Sequence, residues 1–179
     1  THGALNGNFD YENVYWNRLK KKLNQIHDYM PINMINSAVE GSTATQALER
    51  IDNWVLNHNP DLVIVCFGLN DVNYPLENYL NSLKTIFNKC SEKGVEVIYM
   101  TPNMMNTHAG KVSPGEILEP LADVFAARQL NGVFDAYIDA ARQVCKEENI
   151  TLCDCYAIWK NMYEAVVDTT NLLSNGLNH

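Results

Sequence analysis

Residues 61–73 read DLVIVCFGLNDVN. From Leu62 to Phe67 the run is wholly apolar or thiol-bearing. It does not alternate and is too short for a helix, which describes a strand buried on both faces. Such strands belong to parallel sheets covered by helices. The run stops abruptly at Gly68-Leu69-Asn70-Asp71. A glycine, a carboxamide and a carboxylate at that place make either a turn or a site, because α/β sheets bind ligands beyond the carboxyl ends of their strands.

The rest of the chain alternates in the same sense. Val14, Tyr15, Leu19, Leu23 and Ile26 share a helical stripe within 11–27, and Ile32–Val39 reads as a short strand. Ser42 or Thr43 caps a helix reaching about Asn57, with Ala47, Leu48, Ile51, Trp54 and Val55 inward. Tyr74-Pro75 opens a helix that ends near Gly94, and Val95–Met100 is the next strand. The stretch 103–115 has no period and reads as a loop; a short helix around 117–130 follows. A clearer helix spans 132–148, Ile150–Cys155 is a strand, 156–166 a helix, and 168–179 a closing loop. Strands alternating with helices imply a parallel sheet with right-handed crossovers. At 179 residues one domain is expected.

Charge and cysteine content narrow the function classes. The formal charge is −8, and the only basic run is Lys20-Lys21-Lys22. That argues against nucleic acid, whose phosphates need clustered cations. No apolar run approaches the roughly 20 residues that span a bilayer. Five cysteines, two of them inside apolar patterns, suggest a reduced, cytoplasmic protein. Cys153 and Cys155 point to one face of a strand, but no second pair completes a metal site.

The residues just after the strands are the candidates for chemistry. Gly41 lets a backbone N–H approach a substrate, and Asn70 offers a side-chain donor. Two such donors aimed at one point make an oxyanion hole. The plainer readings are a turn residue for Gly41, and a turn or helix cap for Asn70-Asp71. His179 is a general base or a surface histidine at a terminus. Asn103, Met104 and Met105 follow a strand; the thioethers either shape an apolar acyl pocket or pack under the loop.

The segment Asn36-Ser37-Ala38-Val39-Glu40-Gly41-Ser42-Thr43, then Phe67-Gly68-Leu69-Asn70-Asp71, then Asn178-His179 resemble three sequence blocks of the SGNH hydrolases, the GDSL esterases and lipases. The resemblance covers essentially the whole chain. It implies a flavodoxin-like three-layer α/β/α sandwich with a parallel sheet, hydrolysing esters without metal or cofactor. Gly41 matches the glycine of the second block, Gly68-Leu69-Asn70-Asp71 the G-x-N-D of the third, and His179 the base of the last. In this reading Asp71 braces its loop and does no chemistry.

Two departures stand out. The family's first block, G-D-S-x-[TS]-x-G, matches only in its last three residues, Thr1-His2-Gly3. The nucleophilic serine is then expected two positions before Thr1, together with the first, central strand, so 1–179 reads as a single domain truncated at its N-terminus. Thr1, Ser37 and Ser42 are poor substitutes. The family's acid also lies three residues before the histidine, where this chain has Gly176. Asp168 or a backbone carbonyl is left to orient the imidazole. The expected activity is hydrolysis of small carboxylic esters, short-chain acyl or O-acetyl, through an acyl-serine. The alternative is a non-catalytic flavodoxin-like module that binds a small molecule.

Overall fold

The computed structural model describes residues 4–5, 8–9, 12–27, 30–108 and 121–173. The chain divides into two compact units, Thr1–Ser42 and Thr43–His179. The first holds a short antiparallel hairpin, β1 (Ala4–Leu5) with β2 (Asn8–Phe9), and one helix, α1 (Tyr15–Ile26). The hairpin falls in the stretch 1–10, whose Gly and Asn content reads as a loop.

The expected strand over 32–39 is not formed. A strand exists through its ladder, and no ladder partner is found for this segment among the described residues. Its local bonds are those of turns: Ala38 N–H donates to Asn36 Oδ1 at 3.0 Å, and Ser42 N–H to the Val39 carbonyl at 3.2 Å.

The second unit carries a three-stranded parallel sheet in the order β3 (Leu62–Val65), β4 (Glu96–Met100), β5 (Thr151–Cys153). Its helices are α2 (Ala44–Trp54), α3 (Leu76–Glu92), α4 (Ala122–Leu130), α5 (Val133–Glu147) and α6 (Cys155–Glu164). Thr43 is the cap of α2: Gln46 N–H donates to its hydroxyl and Thr43 N–H to the Gln46 side chain, a capping box. Gly94 ends α3 at φ +70°, the left-handed conformation that closes a helix at little cost to glycine.

One face of the sheet is sealed. Val63, Val65, Val97 and Tyr99 pack with Leu48 and Ile51 of α2, Leu83 and Phe87 of α3, and Ala141 and Val144 of α5. The opposite face is less covered, with Leu62 at 43% exposure and Ile64, Ile98 and Met100 only half-buried. The strand read as buried on both faces is therefore dry on one. A second cluster lies beyond the strand tips: Val72, Met104, Met105, Phe125, Phe134, Ile138 and Tyr156. It fixes the loop leaving β4 against the turn leaving β3.

Polar bonds hold the same region. Arg142 grips Asp154 through Nε at 3.0 Å and Nη2 at 2.9 Å. Asp154 also caps α6, accepting from Ala157 N–H at 3.2 Å, and accepts from the Thr101 hydroxyl at 3.1 Å. Burial pushes the Asp154 carboxyl up, but Arg142 and these donors outweigh it and hold it below its ordinary value. Among the described residues no helix is long and apolar enough to cross a membrane.

Candidate active site

The tip of β3 is built around a buried carboxylate. Asp71 is 2% exposed and begins a 3-10 turn, Asp71–Asn73. Its Oδ2 accepts from Gly68 N–H at 2.9 Å and its Oδ1 from Ala44 N–H at 2.8 Å. One side chain thus closes the G-x-N-D turn on itself and ties it to the first turn of α2. Burial pushes the Asp71 carboxyl above its ordinary value, and the two amide bonds pull against that. All its short bonds go to backbone amides, as expected of a brace.

Gly68 has φ +131°, and a Cβ there would stand 3.3 Å from Tyr79 Oη and 3.5 Å from Ile138 and Pro102. Only glycine meets both demands. Behind it the carbonyl of Phe67 lies 2.9 Å from the Tyr99 hydroxyl and 3.2 Å from that of Tyr79, and the two phenols are 2.5 Å apart. Two hydroxyl protons serve three contacts. One phenol donates to the carbonyl while the other donates to its neighbour. Burial drives both phenols well above the usual tyrosine range. Sequence reading missed this pair; its one available signal is that a tyrosine in a core stripe needs a partner for its hydroxyl.

Asn70 stands between these fixtures, half-buried, with αR backbone. Its carbonyl accepts from Asn73 N–H at 3.2 Å and from Asn73 Nδ2 at 2.9 Å, so the turn is bonded on both sides of the side chain. Gly41 belongs to the first unit, where it takes φ +72° in the turn closed by Ser42. His179 lies outside the described residues.

The thiols at the strand ends are unsuited to replace a serine. Burial pushes Cys66 up to about 12 and Cys155 up to about 11, so neither is a thiolate near neutrality. All five cysteines are free, with Cys153 Sγ 3.8 Å from Cys155 Sγ. Among the described residues no cluster of three or more ligating side chains could hold a metal.

Met104 and Met105 are 1% and 0% exposed, inside the second cluster. Asn103 is also buried, its Nδ2 donating to the Met104 carbonyl at 2.7 Å. Met105 N–H donates to Gln129 Oε1 at 2.9 Å, and Gln129 in turn bonds the Tyr156 hydroxyl. Asp168, the candidate orienting acid for His179, also stands beside His108. Its Oδ1 lies 3.4 Å from Nδ1 of His108, a pairing with no sequence signal.

The sequence profile of the GDSL-like lipase/acylhydrolase family matches residues 1–178. The chain belongs to that family. It is thereby an ester hydrolase by class. Solved structures agree on the fold. An acetyl xylan esterase, AlAXEase, aligns over 87% of this chain and 75% of its own with TM-score 0.66 at 16% identity. Axe2, an acetylxylan esterase from Geobacillus stearothermophilus, aligns over 91% and 71% with TM-score 0.68 at 18% identity. LAE5, a hydrolase from the metagenome of Lake Arreo, Spain, aligns over 92% and 72% with TM-score 0.70 at 19% identity. A comparison with curated proteins gave no match.

Proposed function

We propose that this family member is a serine esterase that cleaves small carboxylic esters, short-chain or O-acetyl, with its nucleophile just upstream of Thr1. The serine hydroxyl attacks the ester carbonyl while His179 takes its proton. The negative oxygen is held by the Asn70 amide, the Gly41 N–H and the serine's own N–H. Collapse expels the alcohol, protonated by His179, and leaves an acyl-serine. Water, deprotonated by the same imidazole, then releases the acid and restores the serine. Asp168 or a backbone carbonyl orients the base.

The observation that supports this reading most is the turn at the tip of β3. Asp71 and the Phe67 carbonyl are both bonded from the protein interior, so the turn is rigid before substrate arrives. Preorganised donors are what makes an oxyanion hole effective, since nothing has to reorganise as charge develops. The acetylxylan esterases among the structural neighbours favour acetyl esters of sugars as the substrate class.

The test uses the protein with the segment preceding Thr1. Asn70→Ala is expected to lower kcat on p-nitrophenyl acetate by about 10²–10³. Unchanged turnover removes Asn70 from the hole. A series of p-nitrophenyl esters from acetate to palmitate is expected to favour the short end; preference for long chains overturns the substrate class. Complete absence of turnover favours the binding-module alternative.

A further inference from the structure

The end of β5 carries two thiols in contact. Cys153 is the last residue of the strand and Cys155 the first of α6. Both are free, and their sulfurs lie 3.8 Å apart. The ester chemistry above uses neither.

The backbone between them is bent. Asp154 takes φ −86° and ψ 73°, the conformation at the centre of an inverse γ-turn. A fully extended chain would set Cα atoms two residues apart at about 7 Å, the limit of what a disulfide bridges. The bend shortens that span. It is also held firmly. The Asp154 carboxylate accepts from Arg142 Nε and Nη2, from the Thr101 hydroxyl and from Ala157 N–H. The Cys153 carbonyl accepts from Thr101 N–H at 3.0 Å. Closing the sulfurs from 3.8 Å to a bond of about 2.05 Å therefore falls to rotation of two side chains, on a backbone already bent.

The two sulfurs differ in access. Cys153 is exposed and Cys155 half-buried. Burial, and next the neighbouring Cys153, push the Cys155 thiol up to about 11. An oxidant thus meets Cys153 first. Once that sulfur is held in a mixed disulfide it carries no charge, and its opposition to ionisation of Cys155 ends. The other cysteines are placed differently. Cys90 and Cys145 are buried in the first cluster, and burial pushes Cys66 up to about 12.

We propose that Cys153 and Cys155 form a reversible dithiol site that reduces a small-molecule disulfide, Cys153 attacking first and Cys155 closing the bond. The Cys153 thiolate attacks one sulfur of the small disulfide. That S–S bond breaks, and the first thiolate leaves and takes up a proton. The Cys155 sulfur, giving its proton to solvent, then attacks Cys153 Sγ in the mixed disulfide and expels the second thiolate, which is protonated in turn. Two protein thiols are oxidised to one disulfide, and one small disulfide is reduced to two thiols. An exposed disulfide of this kind is readily reduced again. The proposal goes beyond the esterase reading and rests on none of its residues.

The test incubates the protein, with the segment preceding Thr1, in oxidised glutathione. Remaining thiols are alkylated in denaturant and the peptides weighed by mass spectrometry. The peptide holding 153–155 is expected to lose both alkylatable thiols and two hydrogens, and to retain no glutathione. Dithiothreitol is expected to restore both thiols. Cys155→Ser is expected to stop at the mixed disulfide, with glutathione held on Cys153. Cys153→Ser is expected to slow loss of the Cys155 thiol about tenfold; an unchanged rate overturns the order of attack. The site itself is overturned if both thiols of the native protein stay alkylatable, if native Cys153 keeps its glutathione, or if Cys153 pairs with Cys66. Should a variant fail to fold, the result on the native protein decides alone.

Discussion

Asp71 shows how one side chain can belong to a site without reacting in it. Each oxygen accepts one backbone N–H, from Ala44 and Gly68. Replacing it by Asn keeps the shape but puts an NH2 group against one of those donors. A buried donor without an acceptor costs about 1–3 kcal/mol. Asp71→Asn is therefore expected to lower unfolding free energy by about that amount in urea denaturation, with little change in slope. A loss below about 0.5 kcal/mol would show that the carboxylate does not hold the turn. The same residue scale sets what could be read in advance. Gly68, Asn70 and Asp71 are contiguous, and their pattern is visible as a string. His108 and Asp168 are 60 positions apart in sequence, and only folding brings them together.

Among elements, α6 ends under strain. Val166 takes φ +64° and is 92% exposed, with its N–H bonded to the Tyr163 carbonyl at 3.0 Å. A β-branched residue pays for the left-handed conformation that glycine adopts freely. Val166→Gly is expected to raise the unfolding free energy by about 1 kcal/mol, read as a higher Tm; a lower Tm would mean that the valine makes a contact worth more than its strain. Element order from α2 to α6 was legible because each segment carries its own period and its own cap, Thr43 and Gly94 among them. The segment 32–39 was not, because apolar spacing cannot say whether a ladder partner is present. Met104 and Met105 were ambiguous for a related reason. An aperiodic loop carries no sign of which face is inward, and burial was decided by α4, α5 and α6 packing over it.

For the whole molecule, the buried phenols couple folding to alkaline pH. The folded-state pKa values of Tyr79 and Tyr99 lie well above the ordinary value of 10.0. Their contribution is fully present below that value and is lost as pH rises through and beyond it, because the unfolded chain releases the protons first. Stability is expected to fall steeply above about pH 10. Absorbance of tyrosinate should then rise in two stages, the second coinciding with loss of near-UV circular dichroism. A single stage, complete while the fold persists, would contradict this.

The bonds from Asp71 reach across 27 positions to Ala44 but only three to Gly68. The rim of the sheet therefore cannot set before α2 has docked, and assembly of the two is one cooperative event. In deuterium exchange the amide protons of Ala44 and Gly68 should be released together, through a shared opening, although one begins a helix and the other follows a strand.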